Sequence, residues 1–97
     1  MKCVFIVFNQ ANTARVEYML DQLKINGFTL FEEVQGSGTR GGEPRRGTHT
    51  WPEMNSAVMT VVDDDRVEEI LLTVKKLDNR NKNIGVRAFV WNIEQTV

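Results

Sequence analysis

The sequence predicts an α+β fold of the ferredoxin-like type, βαββαβ, with a four-stranded antiparallel sheet and two helices on one face. Two observations carry this prediction. Amphipathic helical segments alternate with strand-like segments in two similar halves. One glycine- and arginine-rich stretch, residues 36–53, separates the halves and fits neither pattern. Because the chain has 97 residues, we expect residues 1–97 to form one domain.

The first half begins with a strand and continues with a helix. Residues 2–8 are a nearly continuous apolar run, typical of a strand that is buried on both faces. The polar residues 9–12 offer capping side chains. Apolar residues then recur at helical spacing and predict an amphipathic helix of about a dozen residues; they are Val16, Met19, Leu20 and Leu23. Gly27 is expected to end this helix in the left-handed conformation.

Two strands are expected on either side of the glycine-rich stretch. Residues 28–35 have strand composition with imperfect alternation, and residues 54–62 form a second apolar run. Three acidic residues, Asp63 to Asp65, follow that run and suit the positive end of a helix dipole. Asp65 with Glu68 is spaced as a capping box.

The second helix and the last strand complete the pattern. The apolar stripe of the helix consists of Val67, Ile70, Leu71, Val74 and Leu77. Residues 78–83 are expected to form a polar turn, and residues 86–93 the last strand. In strands 1 and 4 both sets of alternating positions are apolar. Both faces of these strands therefore need to be buried by other parts of the protein. Since the chain has no second helical layer, another subunit is the expected cover.

Composition limits the classes of function. The net charge of -1 gives no basic field for nucleic acid, and no apolar run is long enough to span a bilayer, so direct membrane insertion is not expected. The lone cysteine, Cys3, is interpreted as a small buried hydrophobe. One cysteine cannot form an internal disulfide, which favours a cytoplasmic location. One histidine and one cysteine do not make a catalytic constellation, so we do not expect an enzyme.

The stretch 36–53 carries most of the binding chemistry that the sequence offers. Its glycines can expose backbone N–H groups to an anion, and its arginines are forked donors for phosphate or carboxylate. The same residues also suit a solvated loop. The arginines are Arg40, Arg45 and Arg46. With few apolar side chains to offset the entropy cost of ordering, the stretch is expected to order only on binding.

Two further residue pairs in this stretch have alternative interpretations. His49 and Glu53 are the only candidates there for a divalent metal ion, although a solvent-facing histidine is the simpler interpretation. Trp51 with Pro52 suits docking of the loop end on the sheet, or a contact with a protein partner.

Four segments resemble the PII signalling family. Met1-Lys2 leads into an apolar strand, and the first helical segment ends in Gly27-Phe28-Thr29. Residues 34–38, Val-Gln-Gly-Ser-Gly, are similar to the Val-Lys-Gly-x-Gly that opens the long T-loop of the family. Residues 86–91, Val-Arg-Ala-Phe-Val-Trp, resemble its last core strand.

The resemblance implies a homotrimer with small-ligand sites in clefts between subunits and a T-loop that reports ligand occupancy to a protein partner, such as a membrane transporter or an efflux component. It implies a non-enzymatic regulator whose ligand is an adenine nucleotide or another anion. The implied ligand-binding residues are Gly36, Gly38, Arg40, Gly85 and Arg87, and the implied partner-binding residues are Arg45, Arg46 and Trp51.

The chain departs from the family pattern at three places. The loop has no tyrosine for modification, since Tyr18 is the only one. Thr39-Arg40 replaces the glutamine that contacts nucleotide, and residues 83–87 are a reduced form of the phosphate-binding loop. An alternative function is therefore kept open: a metal-binding protein or regulator that serves a heavy-metal efflux or tolerance system, with His49 and Glu53 as ligands. The copper-tolerance CutA family shares the fold, but its His-Pro-Tyr-Glu stretch is absent here.

Overall fold

The computed structural model describes residues 1–36, 54–80 and 85–97 of the chain. The elements follow the predicted order. They are β1 (Lys2–Asn9), α1 (Thr13–Gln22), β2 (Thr29–Val34), β3 (Asn55–Val62), α2 (Val67–Arg80) and β4 (Arg87–Asn92). Short 3-10 turns, Gln10–Asn12 and Asp64–Arg66, precede the two helices.

The four strands form one antiparallel sheet in the order β2-β3-β1-β4. The centre of β1 pairs on one side with β3, where Ile6 lies opposite Val58, and on the other with β4, where Ile6 lies opposite Ala88. The predicted ferredoxin-like α+β fold is therefore confirmed. Because side chains alternate along a strand, this register assigns the even-numbered residues of β1, β3 and β4 to one face and the odd-numbered residues to the other.

The core lies between the helices and the even-numbered face. Val4, Ile6 and Phe8 of β1 are fully buried there and belong to one cluster with the apolar stripes of both helices. Val16, Met19, Leu20, Ile70 and Val74 supply those stripes, as the helical spacing predicted. Leu71 is an exception, because it is exposed. The stripe of α2 is therefore narrower than predicted.

The end of α1 differs from the prediction that Gly27 stops the helix. Lys24, not Gly27, takes the positive φ of 59°. The Ile25 N–H donates to the Leu20 carbonyl at 2.9 Å and the Lys24 N–H to the Asp21 carbonyl at 3.0 Å, which is the Schellman arrangement. Turning the chain at Lys24 buries Ile25 in the core, and this packing requirement explains why the helix ends earlier.

The start of α2 also differs from the prediction. The helix begins at Val67, so Asp65 lies in the preceding 3-10 turn and does not form a capping box with Glu68. Asp64 is instead held by charge: its carboxylate lies 2.9 Å from the N-terminal ammonium and 3.8 Å from Lys2 Nζ. At the other end α2 continues to Arg80, so residues 78–80 are helical and not part of a polar turn.

The edge strand β2 is irregular. Its register with β3 shifts between Phe31 and Val34. Two buried hydroxyl groups of β3 donate hydrogen bonds to backbone carbonyls in β2 and in the segment before it. Ser56 Oγ donates to the Glu32 carbonyl and Thr60 Oγ1 to the Gly27 carbonyl, both at 2.6 Å. Each buried hydroxyl thus has a hydrogen-bond partner, and these bonds help to hold the irregular strand against β3.

The odd-numbered face of the sheet is apolar and carries no helix. We call it the open face. It comprises Cys3, Phe5 and Val7 of β1, Phe31 of β2, Ala57, Met59 and Val61 of β3, and Phe89 and Trp91 of β4. Phe31, Val61, Phe89 and Trp91 are exposed. The prediction that strands 1 and 4 are apolar on both faces is confirmed.

Cys3 lies on the open face, between Val61 and Trp91 on the neighbouring strands. It is a free thiol that is only 1% exposed, which confirms its interpretation as a small buried hydrophobe. Burial raises the pKa of the Cys3 thiol, so the reactive thiolate is disfavoured.

Within the described part of the chain, no helix is both long and apolar enough to cross a membrane.

Candidate functional site

The predicted ligand-binding residues that are described lie at one end of the sheet. We call it the loop end: β1 and β2 finish there, and β3 and β4 begin there. Val34 pairs with Asn55, and Gly36 follows two residues later. On the other side of the sheet Arg87 pairs with Val7, close to the end of β1. The fold thus brings Gly36, Gly85 and Arg87 to the same end, although they are far apart in sequence.

Gly36 lies where the stretch 36–53 leaves the sheet, and a close approach of the Asn55 side chain to its backbone favours glycine there. A Cβ atom at this position would collide with the amide nitrogen of the Asn55 side chain. Asn55 is itself buried at the first position of β3. The base of the loop is therefore a tight crossing in which the Asn55 side chain lies against the Gly36 backbone.

Gly85 has a positive φ of 63°, which residues with a side chain rarely adopt. The next residue, Val86, is 2% exposed and belongs to the core cluster. The turn at Gly85 thus lets Val86 anchor the chain in the core immediately before β4 begins. Arg87 follows this anchor, so its backbone is fixed while its side chain is free to extend.

Arg87 presents its guanidinium to solvent at the edge of the sheet. Its side chain is 65% exposed, and its Nη1 lies 3.4 Å from Asp78 Oδ2 on α2. The same nitrogen lies 3.4 Å from the Val86 carbonyl. A long, exposed ion pair of this kind contributes little to stability. An anion that offers two oxygens to the guanidinium can therefore displace Asp78 at small cost.

Gly36 and Arg87 lie on opposite edges of the loop end. Strands β3 and β1 separate β2 from β4. With neighbouring strands about 4.8 Å apart, three spacings put the two edges about 14 Å from each other. One side chain cannot bridge this gap, so a ligand that contacts both edges must span the end of the sheet or receive one edge from another copy of the chain.

The other predicted site residues all lie outside the described residues. This applies to Gly38, Arg40, Arg45, Arg46 and Trp51, and to the metal candidates His49 and Glu53. Among residues 1–36, 54–80 and 85–97, no group of three or more histidine, cysteine, aspartate or glutamate side chains is placed to hold a metal ion.

Sequence reasoning missed two residues of the loop end, Asn55 and Asp78. Asn55 had no signal in the sequence, because its role depends on the approach of two chain segments. Asp78 did have a signal in the sequence, because it precedes Arg87 by nine residues and carries the opposite charge. The sequence predicts a turn at Asp78, whereas the structure places this residue in the last part of α2, from which it reaches the start of β4.

The comparisons with known proteins agree with this architecture. The chain is similar in structure to CPII from Thiomonas intermedia K12 bound to ADP and bicarbonate, with a TM-score of 0.76, 18% identity, and 95% of this chain and 84% of that chain covered. The same protein bound to ADP, AMP and bicarbonate gives a TM-score of 0.74 at 17% identity, with 95% and 88% covered.

A putative PII-like signaling protein from Thermus thermophilus is also similar. Its TM-score is 0.68 at 22% identity, with 95% of this chain and 84% of that chain covered. No curated protein sequence matches the chain. The family model described as nitrogen regulatory protein P-II matches residues 1–97. The chain therefore belongs to the P-II family, as the resemblance of its strand and loop segments predicted.

Proposed function

We propose that this chain is a non-enzymatic regulatory protein that binds a small anionic ligand at the loop end and reports its presence to a protein partner. The observation that carries the proposal is the placement of Gly36, Gly85 and Arg87 at one end of the sheet, beside the stretch 36–53. In the proposed mechanism the ligand lies in a cleft between two copies of the chain, each contributing a different edge.

The ligand that suits this site is an adenine nucleotide, a smaller anion such as bicarbonate, or both. Arg87 offers forked donors for phosphate or carboxylate, and its contacts with Asp78 and the Val86 carbonyl are long, at 3.4 Å each. Support comes from the structural relative that binds ADP and bicarbonate. Displacing Asp78 would release the last part of α2 from β4, which gives ligand binding a local structural consequence.

The partner contact is proposed for the stretch 36–53, with Arg45, Arg46 and Trp51 as its recognition residues. Ligand at the base of the loop would shift its population of conformations through the crossing of Gly36 and Asn55. A transporter or efflux component is the kind of partner proposed, and the cytoplasm is the proposed location.

Calorimetric titration with ADP, with and without bicarbonate, tests the ligand site. We expect Arg87→Ala to weaken binding by about tenfold or more, since a charge-assisted hydrogen bond contributes roughly 1.5–3 kcal/mol. Asp78→Asn should leave binding intact or strengthen it, because the competing carboxylate is removed. Lys75→Ala removes an exposed charge elsewhere on α2 and is the matched control.

The same titration decides between the ligand-binding and the metal-binding hypotheses. Heat on adding zinc or copper ions that is lost in His49→Ala, with no heat from ADP or bicarbonate, would favour the metal-binding protein. Equal binding of ADP by wild type and Arg87→Ala would refute the assignment of Arg87.

A further inference from the structure

A second candidate site lies on the helical side of the molecule, opposite the open face. A groove of about 780 Å³ runs between α1 and α2. Its base is apolar and consists of Met19, Leu23 and Leu77, which belong to the core or pack against it. Its rim includes the polar side chains of Arg15, Tyr18 and Lys76, all exposed. This volume falls within the range typical of small-molecule sites.

The charge of the groove has one sign only. Arg15 and Lys76 both line it, whereas none of its described lining residues is acidic. In the described part of the chain, neither Arg15 nor Lys76 takes part in an ion pair. Two such cations beside an apolar base leave a positive potential next to a surface that favours apolar contact.

A neighbouring groove shows that this arrangement is not a general property of the helix surface. It has a volume of about 440 Å³ and exposes Leu71 and Leu72, but its rim carries both signs of charge. There Asp64 lies within ion-pair distance of Lys2. Lys75 lines this second groove, while Lys76, the next residue, lines the first.

We propose that the groove between α1 and α2 binds a small amphipathic organic anion: a carboxylate, or a similar acid, on an apolar body. The apolar body would lie on Met19, Leu23 and Leu77, and the acid group would bind Arg15 and Lys76. The forked guanidinium of Arg15 suits a carboxylate in particular. The proposal does not rest on the proposed function at the loop end: the two sites share no residue, although Leu77 of the groove directly precedes Asp78 on α2.

An amide NMR titration with phenylbutyrate, compared with the uncharged phenylbutanol, tests the proposal. We expect shifts confined to α1 and α2 around the groove, with phenylbutyrate binding several-fold more tightly than phenylbutanol. Arg15→Gln and Lys76→Gln should each weaken phenylbutyrate binding by roughly threefold to tenfold, as expected for a charged contact at a partly exposed site. Ala14→Phe places a large side chain in the groove and should abolish binding.

Lys75→Gln is the matched control, since it makes the same change one residue away and in the other groove; it should leave phenylbutyrate binding unchanged. Equal affinity for phenylbutanol, an equal loss in Lys75→Gln, or shifts that map to β1 and β4 would each overturn the proposal. Saturable binding of an acidic amphipathic peptide without any response to phenylbutyrate would overturn the choice of a small molecule as occupant.

Discussion

Lys24 shows how a single residue adapts to the packing of the whole fold. It adopts a left-handed φ of 59°, a conformation that costs a residue with a Cβ roughly 1–2 kcal/mol. In return the chain turns early enough to bury Ile25 against the core. Gly27, which could adopt this conformation without strain, lies three residues too late. The local preference of the sequence is overruled here by a tertiary contact.

Lys24→Gly is therefore expected to stabilise the protein. Removing the Cβ relieves the left-handed strain, and after allowance for the greater freedom of glycine in the unfolded chain, we expect a gain of about 0.5–1 kcal/mol in the free energy of unfolding. Urea denaturation measures it. Lys75→Gly, at an exposed position inside α2, is the control and should lose about 1 kcal/mol. A loss in both variants would contradict the account of Lys24.

At the scale of the elements, the connection between β3 and α2 is held by charge rather than by a helix cap. Asp64 pairs with the N-terminal ammonium and with Lys2, both at the start of β1. The side chain of Lys2 also donates to Asn92 of β4. One exposed carboxylate thus takes part in a cluster that connects the turn before α2 with two strands of the sheet.

The pairing of Asp64 predicts a pH dependence of stability. A hydrogen bond from the N-terminal ammonium, with the charge of Lys2 contributing, lowers the pKa of Asp64 below its ordinary value of 3.8. Because the folded-state pKa is lower than the unfolded one, the contribution to stability is present above the unfolded value. It is lost as the pH falls through the folded-state value.

Asp64→Asn should accordingly be less stable than wild type at neutral pH, with a difference that shrinks as the solution becomes more acidic than the ordinary aspartate value. Thermal unfolding across a pH series measures it. Asp65→Asn changes the adjacent acid, which forms no ion pair among the described residues, and should run parallel to wild type. If the difference in stability between Asp64→Asn and wild type stayed constant down to the lowest pH, the ion pairs of Asp64 would not be the source of the pH dependence.

At the scale of the whole molecule, the sheet has two apolar faces and the helices cover only one. The open face gathers apolar side chains from all four strands, those of β2, β3 and β4 including exposed ones, and Phe5 and Trp91 pack there with ring centroids 6.1 Å apart. An exposed apolar surface of this extent is typical of an association surface. We propose that copies of the chain assemble through it as a trimer, which would also place the edges of two sheets side by side at the loop end.

Phe89→Glu tests this assembly. A charge on the open face should convert the trimer to monomers at micromolar concentration, because an unpaired carboxylate cannot be buried in an apolar interface without a large cost. Light scattering measures the mass. Leu72→Glu is a closely matched control: Leu72 is 53% exposed and Phe89 is 54% exposed, but Leu72 lies on α2. A wild-type monomer, or dissociation by both variants, would sink the proposed role of the open face.

The sequence by itself determined the type and order of the elements. Helices are indicated where apolar residues recur every 3.6 residues, as in α1 and α2. Strands are indicated by short apolar runs, as in β1, β3 and β4, because each spacing buries one kind of surface. From these patterns follow the antiparallel sheet and the presence of a second apolar face. Four segments, among them those around Gly36 and Arg87, were also enough to indicate the family.

Only the tertiary structure decided which residues meet. The end of α1 at Lys24, the contact of Asn55 with Gly36, the pairing of Asp78 with Arg87 and the groove between the helices all depend on how the elements pack. Periodicity reports how each residue is exposed to solvent, but it does not report the neighbour that the residue finds there. The site consists of contacts between such neighbouring residues, so these contacts could be identified only from the tertiary structure.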